Sequence, residues 1–137
     1  MRPLSLKEVV ERIRDSGEAD EERFAVAEFL DEFYTALQSH KLTEAQRMIM
    51  DEPPLLRNQP IDAWIGAMGE HLARRWGLNI PPWVEDSRRF LDTPFFPDNL
   101  QLMKPVLLRD SPIAFRRRLI FTEAEPLRRG RFPERAA

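Results

Sequence analysis

Apolar residues near the start of the chain recur at helical spacing, which places them on one face of an α-helix. They fall at i, i+3, i+4 and i+7 and comprise Leu6, Val9, Val10 and Ile13. Ser5 precedes this run and Glu8 follows Ser5 by three residues, an arrangement that forms a capping box at a helix N-terminus. We therefore predict a first helix that begins after Ser5 and ends near Ser16 and Gly17.

A broader apolar face predicts a second, longer helix that contributes most of the core. Its apolar residues are Phe24, Ala27, Phe29, Leu30, Phe33, Tyr34 and Leu37. Asp20 is expected to cap this helix. Glu21 and Glu22 lie in its first turn, where acidic side chains interact favourably with the positive end of the helix dipole. The helix should run to about Ser39.

A second capping pattern predicts a third, shorter helix. Thr43 is followed three residues later by Gln46, which is the spacing of a capping box, and the helix extends through Met50. Pro53 and Pro54 end it, because proline cannot donate the helical hydrogen bond and restricts the residue before it.

The fourth predicted helix has both ends marked. Pro60 suits its first position, and Gly77 is placed to take the left-handed conformation that closes a helix. Its apolar residues are Ile61, Trp64, Ile65, Met68, Leu72 and Trp76. Gly66 and Gly69 lie inside it, where each costs about 0.8–1 kcal/mol relative to Ala, so we expect another backbone to approach them closely.

Prolines and aromatic residues interrupt the C-terminal half. Residues 81–84 open a short helical piece that extends towards Phe90, and residues 92–97 form an irregular aromatic segment. A helix over about residues 99–109 contains Pro105 near its middle, where we expect a kink or a restart.

The residues after position 110 predict a last short helix with a concentrated positive charge at its end. Ser111 is expected to be the N-cap and Pro112 the first helical residue. The last turn then contains Arg116, Arg117 and Arg118. Positive side chains at this end of a helix interact favourably with the negative end of its dipole. Since successive helical positions point about 100° apart, the three side chains cannot all face one surface.

These elements together predict an all-α fold. No alternating pattern of useful length indicates a β-strand. At 137 residues the chain is long enough for one core, so we predict a single compact domain of about six to seven helices over residues 1–128. Residues 129–137, rich in Arg and Pro, are expected to form a flexible basic tail.

The charge of the chain is unevenly distributed although its net value is only −2. Residues 104–137 hold nine basic and four acidic side chains, whereas residues 1–103 hold twelve basic and nineteen acidic ones. The basic C-terminal third could bind an acidic partner or phosphate groups, or it could pair with acidic residues of the same chain.

The inventory of reactive side chains argues against a catalyst. The chain has no cysteine and two histidines, His40 and His71, and the spacing of a helical zinc-binding motif is absent. Glycine-rich phosphate-binding loops and the nucleophile elbow are absent as well. We therefore expect no catalytic residue, no metal site and no cofactor; an enzyme with an unrecognised carboxylate site is the alternative.

Hydropathy indicates a protein outside the membrane. The N-terminal residues lack an apolar stretch of signal-peptide length, and no apolar run approaches the roughly 18 residues of a membrane span. We expect a cytoplasmic protein with no membrane partner.

Basic and aromatic residues of the C-terminal half are the candidates for a binding surface, because Trp and Arg are enriched at interface hot spots. The candidate partner-binding residues are Arg109, Arg116, Arg117, Arg118, Trp83, Phe95 and Phe96. Core packing is the alternative for the aromatic residues. The alternative for the three consecutive arginines is a clamp that holds the C-terminal helix against acidic positions among the first hundred residues.

Much of the chain resembles a small bacterial family of uncharacterised proteins. The resemblance lies in the motif S-P-x-x-F-R-R-R-x-I-F at residues 111–121, in Trp83-Val84 followed by Phe90-Leu91, and in residues 29–34. Such proteins are often encoded beside predicted nucleotidyltransferases of the abortive-infection or toxin–antitoxin type. The resemblance implies an antitoxin-like or accessory partner of a nucleotidyltransferase-like toxin encoded by a neighbouring gene, and it supplies no catalytic residue.

Two functional hypotheses follow from charge, motif inventory and resemblance together. The first is a non-enzymatic protein that binds another bacterial protein in a two-component module through its basic and aromatic C-terminal surface. The alternative is a nucleic-acid-binding accessory protein or regulator that uses residues 116–118, whose binding would weaken steeply with salt.

Overall fold

The structure is a computed structural model that describes residues 4–16, 19–97 and 104–129. Within these residues the fold is all-α, as predicted, with short 3₁₀ helices and no β-strand. The chain divides into two compact units: Met1–Pro54 together with Leu127–Ala137, and Leu55–Pro126. The sequence boundaries, one helical domain over residues 1–128 and a basic tail over 129–137, stay a prediction.

The first unit contains three α-helices: α1 over Leu6–Ser16, α2 over Ala19–Gln38 and α3 over Leu42–Met50. The predicted capping box of α1 is confirmed. The Ser5 backbone N–H donates to Glu8 Oε1 at 3.3 Å, and the Glu8 backbone N–H donates to Ser5 Oγ at 3.1 Å. The face with Val9 and Val10 is buried.

Helix α2 begins at Ala19, so Asp20 lies inside the helix instead of preceding it; the side chain of Asp20 lies outside the described part. The rings of Phe29 and Phe33 are buried and stack with centroids 6.0 Å apart. Phe24, expected on the same apolar face, is 66% exposed. The buried face of α2 is therefore narrower than the sequence indicates.

The capping box predicted for α3 is wrong. This helix begins at Leu42 with Lys41 in the capping position and no side-chain cap. Glu44 lies in the first turn and accepts a hydrogen bond from Arg47 Nε at 2.9 Å, so its carboxylate binds a side chain of the next turn. Thr43 is exposed and lies inside the helix, one residue past the start.

The last described residues belong to the first unit. The Tyr34 hydroxyl donates to the carbonyl oxygen of Leu127 at 2.8 Å, and this bond is buried. Arg129 Nε donates to Asp31 Oδ1 at 3.1 Å on the exposed side of α2. Residues 127–129 are thus attached to α2, whereas residues 130–137 lie outside the described part.

The second unit is built around α4, which spans Gln59–Arg75. Against it pack a first 3₁₀ helix over Pro82–Glu85, a second over Ser87–Arg89, and α6 over Ile113–Arg116. Helix α5 spans Lys104–Asp110.

Both ends of α4 carry the caps that its sequence indicates, with one shift. Asn58 is the N-cap and its side-chain oxygen accepts from the Ile61 backbone N–H at 3.3 Å, which moves Pro60 to the second helical position. Gly77 takes the left-handed conformation at φ 70°, as predicted. Leu78 then donates to the Ala73 carbonyl at 2.8 Å and closes the helix.

The two glycines inside α4 make room for side chains, not for a second backbone as expected. A Cβ on Gly66 would lie 3.0 Å from Arg89 Cβ and 3.1 Å from Arg118 Nε. A Cβ on Gly69 would lie 2.6 Å from the Trp83 ring. Any larger residue at Gly69 therefore displaces the indole, since Cβ atoms do not approach other carbons this closely.

The C-terminal segment differs from its prediction at Ser111. Helix α6 begins at Ile113 after Pro112, without a side-chain cap. The buried Ser111 hydroxyl instead donates to the Leu107 carbonyl and accepts from the Thr122 backbone N–H at 2.8 Å. Ser111 thus fixes two chain segments rather than a helix end.

The remaining C-terminal predictions are met in part. Of the helix predicted over residues 99–109, residues 104–109 are helical and residues 99–103 lie outside the described part. Residues 92–97 are irregular, and Phe95 forms an isolated parallel bridge with Ile120.

One exposed residue at the end of α2 has an unfavourable backbone conformation. His40 has φ 58°, and the bonds from His40 N to Leu37 O and from Lys41 N to Ala36 O form a Schellman motif. We expect His40→Gly to raise the free energy of unfolding by about 0.5–1 kcal/mol, because glycine adopts this conformation without Cβ strain. Chemical denaturation measures the change.

The matched control is His40→Ala, which keeps a Cβ and should give no comparable gain. Equal stabilisation by both variants would show that removal of the imidazole, and not relief of backbone strain, causes the effect.

Candidate functional site

Glu70, on the buried face of α4, is the centre of a cluster of arginines. Its side chain is fully buried. Oε1 accepts from Arg118 Nη1 at 2.7 Å and from Arg117 Nε at 3.0 Å, and Oε2 accepts from Arg74 Nε at 2.7 Å. One carboxylate therefore binds three guanidinium groups, and charge-assisted bonds of this kind are the stronger hydrogen bonds in proteins.

Arg118 connects three elements of the second unit. Besides Glu70 on α4, its Nη1 donates to the Ala114 carbonyl on α6 at 2.7 Å, and its Nη2 donates to the Val84 carbonyl in the first 3₁₀ helix at 2.6 Å. The side chain is fully buried. Its Nε has no hydrogen-bond acceptor among the described residues and lies against Gly66.

The electrostatics of the pair keep both partners charged. Burial acts to raise the pKa of Glu70, but the hydrogen bonds from Arg74 and Arg118 outweigh it and the pKa is lowered. Burial lowers the pKa of Arg118, and the bond to Glu70 opposes this. Since guanidinium groups stay protonated in proteins, neither partner is suited to proton transfer near neutral pH.

Aromatic rings cover the cluster. The guanidinium carbon of Arg118 lies 4.4 Å from the centroid of the Phe90 ring, and that of Arg117 lies 5.0 Å from the same centroid. The Arg89 guanidinium lies 5.0 Å from the Trp83 ring and donates to the carbonyl of Asp62 at 3.3 Å. These contacts have cation–π geometry, which lowers the penalty for burying the charges.

A tight turn after α6 directs the consecutive arginines. Leu119 takes a left-handed conformation at φ 64°; its N–H donates to the Arg116 carbonyl and the Ile120 N–H donates to the Phe115 carbonyl. This Schellman motif closes α6 without a glycine. It leaves Arg116 exposed, Arg117 partly exposed and Arg118 buried, in agreement with the expectation that the three cannot share one surface.

The predicted partner-binding residues separate into accessible and inaccessible groups. Arg118 and Trp83 are buried. Arg109, Arg116 and Arg117 are exposed, although only 31% of the Arg117 side chain is accessible. Phe95 is 38% exposed, and Phe96 is partly covered. Arg117 and Arg118 pair with Glu70, an acidic residue among the first hundred, as in the alternative in which the arginines act as a clamp. Arg116 forms no ion pair with any described residue.

Glu70 and the buried Arg89 were not among the residues that the sequence predicted for a site. A charge among the small residues of α4, next to Gly69 and one turn from Gly66, was the available signal. Small residues one turn away from a charged residue leave the space that a long partner side chain needs. Of the three arginines that bind Glu70, Arg74 lies one turn along the same helix. Arg117 and Arg118 lie 47 and 48 residues away, so no local pattern indicates them.

The described residues contain no group of three or more His, Cys, Asp or Glu side chains placed to hold a metal ion. Among the same residues, no helix is both long and apolar enough to cross a membrane. Comparison with protein-family models, curated proteins and solved structures gives no match to this chain. The resemblance to the bacterial family stays a prediction.

Removal of the central carboxylate should destabilise the protein strongly. We expect Glu70→Gln to lower the free energy of unfolding by about 3–5 kcal/mol, because it leaves the buried Arg118 charge without its carboxylate. Denaturant unfolding followed by circular dichroism measures the change.

The control is Glu125→Gln at the surface pair of Glu125 with Arg75, where both side chains are 35% exposed and a loss below about 1 kcal/mol is expected. A loss at Glu70 as small as the loss at Glu125 would contradict the structural role of the cluster.

His71 should make the second unit sensitive to acid. Its ring is buried on α4 and lies 5.6 Å from the ring of Phe115. Burial lowers its pKa below the ordinary 6.5, with a further lowering by Arg75 that Glu125 opposes. The unfolded chain then binds this proton more readily than the folded one. The contribution of His71 to the free energy of unfolding is therefore fully present above the pKa of His71 in the unfolded chain, and it is lost as the pH falls below that value.

We expect His71→Gln to flatten the decline in melting temperature between about pH 7 and about pH 5. The exposed His40, changed to Gln in the same way, is the matched control and should leave the decline as in the unmodified chain. An unchanged slope in His71→Gln would show that other groups cause the acid sensitivity.

Proposed function

We propose that this protein is a non-enzymatic helical binding protein, antitoxin-like or accessory, that attaches to another bacterial protein through the accessible part of its basic and aromatic C-terminal surface. In this proposal the partner is a nucleotidyltransferase-like toxin encoded by a neighbouring gene, as the family resemblance implies, and both act in the cytoplasm.

The observation that carries the proposal is an exposed aromatic side chain on a fixed backbone. The N–H of Phe95 donates to the Leu119 carbonyl at 2.8 Å, and its carbonyl accepts from the Phe121 N–H at 3.0 Å. Both polar groups of its backbone are therefore occupied while 38% of the residue stays exposed. Because this backbone is already held, only the side chain loses conformational freedom on binding, which suits Phe95 to anchor a partner.

Arg116 provides a charge on the same unit. It lies three residues before Leu119, the residue that binds Phe95, and its side chain is exposed. Free surface guanidinium groups favour acidic partners mainly by accelerating association and by selecting among them.

Nucleic-acid binding by residues 116–118 has less support. Arg118 is buried, and Arg117 binds Glu70 and Glu85, so only Arg116 of the three has no ion-pair partner among the described residues. Binding to a nucleic-acid backbone needs several available cations along one face, because successive phosphates must be contacted together.

Co-expression with the product of the neighbouring gene tests the proposal. We expect the two chains to co-purify, and we expect Phe95→Ala combined with Arg116→Glu to weaken their affinity in calorimetry by about 100-fold, which is typical for loss of a hot-spot residue and a charge.

Phe24→Ala combined with Arg57→Glu is the matched control, because Phe24 and Arg57 are an exposed aromatic and an exposed arginine outside the proposed surface. Equal affinity of the two double variants, or no co-purification, would overturn the proposal. Binding to RNA or DNA that weakens steeply with salt would favour the alternative instead.

A further inference from the structure

Two arginines at the Glu70 cluster have N–H groups that no described residue uses. Arg74 and Arg117 each bind Glu70 through Nε, and Arg117 Nη2 also binds Glu85. Both Nη atoms of Arg74 and Nη1 of Arg117 make no hydrogen bond to the described part of the chain. The two side chains are 44% and 31% exposed, so these donors are within reach of solvent.

The two guanidinium groups are neighbours. Arg74 Nε donates a hydrogen bond to Glu70 Oε2 at 2.7 Å, and Arg117 Nε donates one to Oε1 of the same carboxylate at 3.0 Å. One carboxylate therefore holds both guanidinium groups, and each group keeps Nη donors that no described residue uses. Glu70 is buried behind them and fixes both side chains before any ligand arrives.

The charge at this position is incompletely balanced. Three guanidinium groups, those of Arg74, Arg117 and Arg118, face the carboxylates of Glu70 and Glu85. Glu85 is 59% exposed, at the end of the first 3₁₀ helix, and its bond to Arg117 is the only ion pair it makes within the described residues. If Glu85 turns into solvent, two positive charges are left without a partner.

We infer that Arg74 and Arg117 form a binding site for a dianionic tetrahedral oxyanion of the phosphoryl class, and that Glu85 holds Arg117 in the absence of that ligand. The planar donors of guanidinium groups match the geometry of phosphate oxygens. A dianion balances the two charges that become available when Glu85 leaves, whereas a single carboxylate balances one. The inference does not rest on Phe95 or Arg116, the two residues that the proposed function uses.

Calorimetric titration of the full chain with inorganic phosphate tests this inference, at about pH 7.5 and at constant ionic strength set with chloride. We expect Glu85→Gln to bind phosphate about tenfold more tightly than the unmodified chain, because a competing negative charge is removed. Arg74→Gln combined with Glu85→Gln should reverse that gain.

Arg75→Gln is the matched control for Arg74. It lies next in sequence on α4 but pairs with Glu125, so phosphate affinity should be unchanged. Because Arg74 is the more exposed of the two site arginines, its variant should remain folded, which far-UV circular dichroism checks. An unchanged affinity in Glu85→Gln, or in the added Arg74→Gln, would overturn the inference.

Two further ligands identify the chemistry that is bound. Phenyl phosphate should bind about as tightly as inorganic phosphate if the site accepts a phosphomonoester, and at least tenfold more weakly if it accepts only the free ion; both results keep the phosphoryl class. Acetate should bind more weakly than either. Acetate binding as tight as phosphate would overturn the dianion preference.

Discussion

The second unit depends on the hydrogen bonds between the buried carboxylate of Glu70 and the buried guanidinium group of Arg118. A charge without a partner in a protein interior is strongly unfavourable, so each of these residues is tolerated only where the other is present. Arg118 also donates to a carbonyl of α6 and to a carbonyl of the first 3₁₀ helix. One side chain therefore fixes the positions of three elements, and a rearrangement of any of them breaks a charge-assisted bond.

Three consecutive arginines, residues 116–118, have different roles in the second unit. Arg118 is buried and structural, Arg117 connects Glu70 to Glu85 at the edge of the cluster, and Arg116 is exposed. Composition and net charge treat the three as equivalent basic residues. Their different environments come from the rotation between successive positions at the end of α6 and from the left-handed turn at Leu119 that follows it.

Local sequence signals predicted the all-α fold and several helix ends, because the interactions involved span only a few residues. The capping box at Ser5 and the left-handed Gly77 are of this kind. Ser111 failed as a predicted cap because Thr122, eleven residues away, uses the same hydroxyl. The bonds of Glu70 to Arg117 and Arg118 could not be predicted for the same reason: bonds between distant residues depend on the packing of whole elements, which a local pattern does not contain.

Gly66 lowers the intrinsic stability of α4 but leaves the space that the buried arginines occupy. A glycine inside α4 reduces helix stability by about 0.8–1 kcal/mol relative to Ala, yet a Cβ there would lie only 3.0 Å from Arg89 Cβ and 3.1 Å from Arg118 Nε. One of the two glycine positions that weaken the helix is therefore also the position that admits two buried arginines. Because Arg118 shares the carboxylate of Glu70 with Arg117, a ligand that binds Arg117 at the surface acts on a group that is linked directly to the interior. In the inferred anion site, surface binding and the stability of this unit are therefore coupled through a single carboxylate.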